Sequence, residues 1–317
     1  MSNQAEKFDP SYGYSLTDLL AITTPEAPKD FDSFWQNAYA DCHDIQPKPK
    51  FIDTGAIHKN WRVFEIQYIS TNDMKIGGWI LIPQDKPPTR GFVVGHGYGG
   101  RDEPDYNLPF DDAAILFPCC RGISKSPNFP ISSNPQWHVL HDIDKPDRYI
   151  IRGCVEDTWL AVSCLLALFP YLAGHLGYLG VSFSGGVGAL AMAYEKRIAR
   201  AHFNVPTFGN HQLRLKLPTW GSGESLRQFY RKKPDMLLNT LKYFDAANAA
   251  ERINMPVHCA LALKDPVVAP PGQFAVYNAL KCEKHLYVLD EGHAEYPTQE
   301  QQKIELRQQL VEFFSPI

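Results

Sequence analysis

The sequence predicts an α/β fold whose centre is one mostly parallel sheet. From residue 92 onward, short continuous apolar runs alternate with segments of helical periodicity, as in buried parallel strands joined by crossover helices. Apolar residues that recur every three or four positions from Ile151 to Phe169 predict one long crossover helix. Because such helices cover both faces of a sheet, we expect a doubly wound arrangement. The predicted strands are Phe92–Val94, Ala113–Phe117, Leu176–Val181, Ala201–Val205, Val257–Leu263 and His285–Leu289.

The segment before residue 84 predicts an antiparallel start to the sheet. Residues 62–68 alternate between apolar and polar side chains, which is the period of a half-buried strand. The turn at residues 71–73 leads to a second strand over residues 75–83, so the two strands should form a hairpin. Residues 1–58 are expected to be an N-terminal extension with a short helix that starts at Phe31.

Two long segments interrupt the alternation of strands and helices. Residues 123–147 are rich in Ser, Asn, Pro and Asp, which predicts a surface loop that approaches the functional site. Residues 207–247 lie between two predicted strands and contain more aromatic residues than a simple crossover needs, so we expect an inserted cap over the sheet. All of residues 1–317 are therefore predicted to form a single domain that carries this cap.

The composition excludes several classes of protein. The chain has 317 residues, 44% of them hydrophobic, and its formal charge is −4 from 31 basic and 35 acidic side chains. Because neither sign forms a long block, no nucleic-acid partner is expected, and the predicted ligand is a small uncharged molecule. The start of the chain lacks a secretory signal pattern, and no apolar run reaches the ~18 residues of a membrane span. We therefore expect a cytoplasmic protein without a membrane partner.

No cofactor or metal site is indicated by the sequence. The seven cysteines have no Cys-x-x-Cys spacing and mostly lie in apolar runs, so we expect reduced thiols in the core. No nucleotide-binding glycine motif follows a predicted strand. His138, His141 and Asp142 could bring metal ligands together, but they lie in the polar loop, and we expect no metal there.

The sharpest functional motif is a serine framed by small residues between an apolar strand and a helical segment. This context is typical of a nucleophile elbow, in which a tight turn presents the serine hydroxyl at the N-terminus of a helix. Ser182 is the predicted nucleophile because the strand ends at Val181 and Gly180 is small. Ser184, framed by Ser182 and Gly186, is the alternative nucleophile, and a glycine-rich helix start without catalysis is the other interpretation.

A serine nucleophile needs an imidazole to accept its proton and a carboxylate to orient that imidazole. In the α/β-hydrolase fold the acid and then the histidine follow the serine in the chain, each on a loop after a strand. Asp265 ends one predicted strand, and His293 follows the last one. We therefore predict an α/β-hydrolase fold with a triad of Ser182, Asp265 and His293. Asp290 is the competing acid.

Acyl transfer also needs hydrogen-bond donors for the negative charge that develops on the substrate oxygen. The backbone amide of Phe183, directly after the nucleophile, is one predicted donor. The second is the amide of Tyr98, in the glycine-rich segment 95–100 that follows an early strand. A tight turn without a ligand is the alternative interpretation of this segment.

With these motifs the chain resembles carbohydrate esterase family seven, the acetyl xylan esterases and cephalosporin C deacetylases. The resemblance implies that Ser182, Asp265 and His293 match the nucleophile, acid and base of that family. It also implies that the oxyanion amides are those of Tyr98 and Phe183, and that the protein forms a homo-oligomer. The segments that carry the resemblance, over nearly the whole chain, are Lys29–Trp35, Gly97–Arg101, Cys120–Gly122, Gly180–Gly186, Asn204–Pro206, Tyr243–Asn248, Lys264–Asp265 and Gly292–His293.

Three motifs depart from the family pattern beside the triad. Ile123 stands in place of Gln after Arg-Gly, Phe183-Ser184 in place of Gln-Gly after the nucleophile, and Ala294 in place of Glu after the histidine. Because the triad itself is unchanged, we expect a serine esterase that removes acetyl or another small acyl group from a carbohydrate-like or small alcohol ester. The alternatives are an esterase or peptidase of another α/β-hydrolase branch and a non-catalytic ligand-binding protein on the same fold.

Overall fold

Residues 8–317 are described by the computed structural model, and in this range a nine-stranded sheet carries helices on both faces. All six strands predicted after residue 84 are present, with ends that differ from the prediction by two residues or fewer. The strands are β1 Lys50–His58, β2 Trp61–Ile69, β3 Lys75–Pro83, β4 Arg90–Val94, β5 Ala113–Pro118, β6 Leu176–Val181, β7 Arg200–Asn204, β8 Val257–Lys264 and β9 Lys284–Glu291.

The strand order is β1-β2-β3-β5-β4-β6-β7-β8-β9. Strands β2 and β3 pair antiparallel, from Trp61 opposite Pro83 to Ile69 opposite Lys75, and β3 also runs antiparallel to β5. From β5 onward every neighbouring pair is parallel. The predicted mostly parallel sheet with an antiparallel N-terminal hairpin is therefore confirmed.

Strand β1 is an edge strand within residues 1–58, where the sequence predicts an extension with a short helix. It pairs antiparallel with β2, and its register shifts between Asp53 and Ile57, around Gly55 at a φ of 69°. Side chains on both of its faces are exposed. A strand without a buried face has no alternation of apolar and polar residues by which to recognise it.

The helices pack mainly on one face of the sheet, and the predicted long crossover helix is present as α4. The Trp159 indole of this helix donates to the carbonyl oxygen of Ala191 at 2.8 Å, which joins α4 to its neighbour α5. The helices are α1 Leu16–Leu20, α2 Phe31–His43, α3 Pro135–His138, α4 Ile150–Leu168, α5 Phe183–Met192, α6 His211–Arg214, α7 Ser222–Lys232, α8 Pro234–Leu241, α9 Ala246–Ala250, α10 Pro270–Ala279 and α11 Gln299–Phe313.

The second face of the sheet is covered by α11. Leu310, Phe313 and Phe314 at the end of α11 pack into a separate apolar cluster on that face. In the same cluster the rings of Phe92 and Phe110 stack with centroids 3.9 Å apart. Burial on both faces fixes the parallel strands, so the residues that follow β6, β8 and β9 meet at one edge of the sheet.

The two segments that interrupt the alternation both contain helices. Residues 207–247, predicted to be a cap, hold α6, α7 and α8 between β7 and β8. Residues 123–147 are mostly irregular, as expected, but include α3, at whose end the His138 side chain is fully buried.

Within residues 8–317, no helix is both long enough and apolar enough to cross a membrane. All seven cysteines are free, and six of them are buried.

Candidate active site

Ser182 lies in the turn between β6 and α5, where it is the N-cap residue of the helix. Its φ of 53° and ψ of −107° are unusual for a residue with a side chain. The Ser182 amide donates to the carbonyl oxygen of Asn204 at 2.8 Å, and its carbonyl oxygen accepts from the Thr207 amide at 3.1 Å. These bonds to the end of β7 hold a backbone conformation that costs on the order of 1–3 kcal/mol. The strand-serine-helix turn therefore stands where the motif predicts it.

Small residues around Ser182 are required by close packing. A Cβ atom on Gly180 would lie 2.2 Å from the carbonyl oxygen of Ser184, which no side chain can tolerate. Ser184, the alternative nucleophile, is buried in α5, where its amide donates to the carbonyl oxygen of His96 at 3.2 Å. Its carbonyl oxygen also accepts from the Tyr178 hydroxyl at 2.7 Å. Both main-chain groups of Ser184 thus fix the elbow against neighbouring strands.

The His293 imidazole joins the other two predicted triad residues. Its Nε2 lies 2.9 Å from Ser182 Oγ, and its Nδ1 lies 2.8 Å from Asp265 Oδ2. Because a carboxylate only accepts hydrogen bonds, Nδ1 carries the proton and Nε2 is left to accept the serine proton. Asp265 and His293 follow the adjacent parallel strands β8 and β9, which places both at the edge where β6 ends. The three side chains form one continuous hydrogen-bonded chain.

The Asp265 carboxylate is fully buried and accepts four hydrogen bonds. Oδ1 accepts from the amides of Val267 and Val268 at 2.8 and 2.9 Å. Oδ2 accepts from Gln273 Nε2 at 3.0 Å as well as from His293. Gln273 also accepts from the Ala262 amide at 2.9 Å, so it links the acid to the end of β8. Gln273 is not recognisable from the sequence, because a glutamine on a helix eight residues after an aspartate matches no motif.

The competing acid, Asp290, takes no part in this chain. It is exposed, its carboxylate accepts from the Thr298 hydroxyl, and its amide donates to Gln302 Oε1 at 3.1 Å. These contacts tie Asp290 to the start of α11. The geometry therefore favours Asp265 as the partner of His293.

The two predicted oxyanion donors are the amides of Tyr98 and Phe183. Phe183 is the first residue of α5, so its N–H has no partner inside the helix. Neither amide donates to another group within residues 8–317. The N-terminus of α5 also favours negative charge at this position. Tyr98 and Phe183 are both lining residues of the cavity that contains Ser182.

The segment that carries Tyr98 is held by His96. The His96 Nε2 accepts from the Cys120 amide at 3.0 Å, and its Nδ1 lies 2.6 Å from the carbonyl oxygen of Gly97. Since an amide donates and a carbonyl accepts, the ring carries its proton on Nδ1. This histidine therefore joins the glycine-rich segment to the end of β5.

A second brace connects Tyr98 to the 123–147 segment. The Tyr98 ring stacks on Phe183 with centroids 4.1 Å apart, and its hydroxyl lies 2.9 Å from His138 Nδ1. His138 Nε2 donates to the carbonyl oxygen of Arg121 at 2.9 Å. Burial lowers the pKa of His138 to about 4, so the ring is neutral near pH 7. Both ring nitrogens are thus occupied, and within residues 8–317 no group of His, Cys, Asp and Glu is arranged to hold a metal ion.

One departure from the family motifs, at position 123, lies beside a buried ion pair. Ile123, in place of a glutamine, is buried in the main apolar cluster. Arg121, two residues earlier, forms a buried ion pair with Asp157, with Nη2 2.6 Å from Oδ1. The loop beside the active site is therefore braced by this pair and by His138, without a polar side chain at position 123.

A cavity of about 390 Å³ lies over Ser182 and reaches both interrupting segments. Pro135 of the 123–147 segment and Arg214 of the 207–247 segment form part of its wall. A larger cavity of about 730 Å³ lies beside Arg121 and contains none of the three triad residues. We therefore take the smaller cavity as the candidate substrate site. The rest of its wall consists of Gly97, Tyr98, Gly99, Val181, Phe183, Thr207, Gly221, Ser222, Val267, Val268 and His293.

Known proteins with similar structures share the architecture of this chain. An acetyl xylan esterase from Paenibacillus sp. R4 has a TM-score of 0.82 at 22% identity, with 93% of this chain and 99% of that chain covered. Acetyl xylan esterase 1 from Thermoanaerobacterium sp. JW/SL YS485 has a TM-score of 0.80 at 19% identity, with 97% and 100% covered. An acylaminoacyl peptidase from Pyrococcus horikoshii has a TM-score of 0.63 at 14% identity, with 81% and 42% covered. The predicted α/β-hydrolase fold is therefore confirmed.

A family model that matches this sequence identifies the family as well as the fold. The acetyl xylan esterase (AXE1) family model matches residues 15–310, which include Ser182, Asp265 and His293. Since this range is most of the chain, the resemblance stated from the motifs is confirmed. The chain belongs to the acetyl xylan esterase family and is a carboxylic ester hydrolase.

Proposed function

We propose that this chain is a serine esterase that removes acetyl or another small acyl group from a carbohydrate-like or small alcohol ester. The observation that carries the proposal is the hydrogen-bonded chain from Asp265 through His293 to Ser182. In this arrangement Ser182 Oγ attacks the ester carbonyl carbon while His293 Nε2 accepts the serine proton. Asp265 holds the imidazole in the required tautomer and stabilises its positive charge.

The remaining steps of acylation, and then deacylation, use the same groups. The tetrahedral intermediate is stabilised by the amides of Tyr98 and Phe183, each worth about 3 kcal/mol. It collapses to an acyl-enzyme when the C–O bond breaks, and His293 gives its proton to the leaving alkoxide. His293 then accepts a proton from water, whose oxygen attacks the acyl carbon. The bond between the acyl carbon and Ser182 Oγ then breaks, His293 Nε2 returns its proton to Oγ, and the acid is released.

The cavity supports a small acyl group. Its volume of about 390 Å³ must hold the acyl group and part of the alcohol, and residues 207–247 close one side of it. We propose that this segment is the cap of a single-domain enzyme. Hydrolysis of p-nitrophenyl esters is therefore expected to decline as the acyl chain lengthens beyond acetyl. An aminoacyl amide cleaved faster than these esters would instead favour a peptidase, a function suggested by the fold shared with acylaminoacyl peptidase.

The nucleophile is tested by covalent labelling. A fluorophosphonate probe is expected to modify Ser182, and Ser182→Ala is expected to lower kcat for p-nitrophenyl acetate by about 1,000-fold or more. Ser184→Ala is the matched control, since it removes a hydroxyl in the same turn. Labelling at Ser184 would move the nucleophile to that residue. Folded wild-type protein that neither reacts with the probe nor hydrolyses any ester would identify a ligand-binding protein instead.

Two wider properties are part of the same proposal. The seven free thiols suit a reducing compartment such as the cytoplasm. Self-association into a homo-oligomer is proposed from the family alone. Sedimentation equilibrium of the purified protein tests it, and a monomer at micromolar concentration would contradict it.

A further inference from the structure

Arg214, at the end of α6, is a buried cation in the wall of the candidate substrate cavity. Its residue exposure is 6%, and its guanidinium carbon lies 5.3 Å from the centre of the Phe208 ring. Both Nε and Nη1 are buried without a hydrogen-bond partner in the described part of the chain. The Nε and Nη1 groups of Arg214 therefore donate no hydrogen bond to any atom within residues 8–317.

The neighbouring carboxylates are committed to other groups. Asp245 accepts from the amides of Asn210 and His211 at 3.0 and 2.7 Å. Glu224 forms a salt bridge with Arg227, with 2.8 Å between Arg227 Nε and Glu224 Oε2. No salt bridge joins Arg214 to an acidic side chain between residues 8 and 317. Within this range the guanidinium of Arg214 is therefore close to Asp245 without forming an ion pair with any carboxylate.

A buried arginine with a purely structural role looks different in this protein. Arg121 is equally buried, and its guanidinium donates to both oxygens of Asp157 and to the hydroxyls of Ser70 and Thr71. Such pairing offsets the cost of removing a charge from water. Arg214 lacks such pairing, and apart from its contact with the Phe208 ring the cost of its burial is offset only when a bound group accepts hydrogen bonds from the guanidinium.

The charge of Arg214 persists at neutral pH. Burial lowers the pKa of its guanidinium to about 10, which is still well above 7. Close by, the Thr219 hydroxyl is also buried without a partner. A Cβ atom on Gly223 would lie 2.7 Å from Thr219 Oγ1 and 3.2 Å from Arg214 Nη2, so the two polar groups flank one glycine. Two polar groups without a partner in the described part of the chain thus lie on either side of Gly223, next to the cavity-lining residues Gly221 and Ser222.

We propose that Arg214 binds a carboxylate of the substrate, and that the preferred substrates are small acyl esters which carry this negative charge. A planar carboxylate can accept two hydrogen bonds from one guanidinium, and the buried surroundings strengthen both. Arg214 and Ser182 line the same cavity, so one molecule can present its carboxylate to Arg214 and its ester to Ser182. The inference rests on the proposed esterase function, because it names the class of ester that the site selects.

The test compares each acid with its methyl ester, which has nearly the same shape and no charge. 4-Acetoxybenzoate carries the carboxylate on the alcohol side of the scissile ester, and p-nitrophenyl hemisuccinate carries it on the acyl side. For at least one pair, wild-type kcat/KM is expected to be higher for the acid. Arg214→Met should lower the acid-to-methyl-ester ratio by about 10- to 100-fold, mostly through KM. Arg214→Lys should retain part of the preference.

The matched control is Arg231→Met, which removes an exposed arginine from the same 207–247 segment. This variant is expected to keep the wild-type ratio. If Arg214→Met fails to fold, wild-type protein gives the same information by competition. Benzoate should then inhibit p-nitrophenyl acetate hydrolysis about ten times more strongly than benzamide.

The outcomes separate the two proposals. Equal ratios in wild type and Arg214→Met, or equal inhibition by benzoate and benzamide, overturn the carboxylate site and leave the esterase intact. Complete inactivity towards every ester, together with no fluorophosphonate labelling, overturns the esterase. In that case, 4-acetoxybenzoate binding that still depends on Arg214 would support an anion site without turnover.

Discussion

The hydroxyl of Tyr98 donates a hydrogen bond to Nδ1 of His138, 2.9 Å away, and thereby ties the glycine-rich segment beside the nucleophile to α3. The direction of this bond follows from the other ring nitrogen of His138, which donates to the carbonyl oxygen of Arg121. The amide of Tyr98 is one of the two proposed oxyanion donors. Its position therefore depends on a side chain from a segment that the sequence suggests is a loop.

The first prediction concerns this bond. Tyr98→Phe keeps the ring that stacks on Phe183 and leaves the buried His138 Nδ1 without a donor. The free energy of unfolding is expected to fall by about 1–3 kcal/mol, the cost of a buried unsatisfied polar atom. We also expect a lower kcat for p-nitrophenyl acetate, because the Tyr98 amide is less well held. Urea unfolding and steady-state kinetics measure the two effects.

Tyr171→Phe is the control for the Tyr98 variant, since the Tyr171 side chain is exposed and the same hydroxyl is removed. Its stability and kcat should match those of the wild type. A Tyr98→Phe protein as stable and as active as this control would show that the bond to His138 does not brace the site.

The second prediction separates the two candidate acids. Asp265→Asn places an amide beside His293 Nδ1, and this amide no longer stabilises the positive imidazole that forms in the reaction. We expect kcat to fall by about 1,000- to 10,000-fold. Asp290→Asn should change kcat less than threefold. In the described chain, the Asp290 carboxylate accepts a hydrogen bond from Thr298 and its amide donates to Gln302, and neither residue belongs to the proposed triad. The reverse order of effects would make Asp290 the catalytic acid.

The third prediction concerns Gln273, which the sequence did not suggest. Gln273→Met removes a donor to Asp265 Oδ2 and leaves the buried Ala262 amide without its acceptor. Unfolding free energy is expected to fall by about 1–3 kcal/mol. Because Asp265 loses one of its supports, kcat should fall about tenfold while KM stays near the wild-type value.

Gln301→Met provides the comparison for Gln273, since Gln301 is exposed on α11 and bonds only to Glu305 in the described structure. It should behave as wild type in both measurements. A Gln273→Met enzyme that loses stability but keeps its kcat would make Gln273 a purely structural residue.

The parts of the site that the sequence predicted share a local cause. The turn at Ser182 needs a strand, small residues and a helix in succession, and all three are visible as a continuous motif. Asp265 and His293 each directly follow a buried apolar strand, and buried strands have a strong sequence signal. Since parallel strands end at one edge, the chain order alone indicates that the three residues meet.

The parts that the sequence missed depend on packing between distant segments. The Tyr98–His138 bond spans 40 residues, and the Gln273–Asp265 bond requires α10 to lie against the end of β8. The sequence also does not indicate that Arg214 is buried in the wall of the cavity, because its burial depends on the same kind of packing. The total charge of −4 over the chain contains no information on one cation buried in a cavity.

The last prediction follows from the titration of His138. Burial lowers its pKa to about 4 in the folded protein, compared with about 6.5 for an exposed histidine. Between pH 6.5 and 4 the unfolded chain therefore binds a proton at this residue that the folded chain does not. Its contribution is fully present above pH 6.5 and is lost as the pH falls towards 4, up to about 3 kcal/mol.

His138→Gln removes this titration, so the stability difference between wild type and variant is the quantity to measure. The difference is needed because Asp245, whose pKa is raised by burial to about 6, titrates in the same range with the opposite sign. In urea unfolding at pH 7, 6, 5 and 4, the advantage of the wild type over His138→Gln is expected to shrink as the pH falls. A difference that stays constant from pH 7 to 4 would mean that His138 is as easily protonated in the fold as in the unfolded chain. A buried ring that accepts from the Tyr98 hydroxyl and donates to the Arg121 carbonyl resists protonation, so this result would contradict the proposed brace of the oxyanion segment.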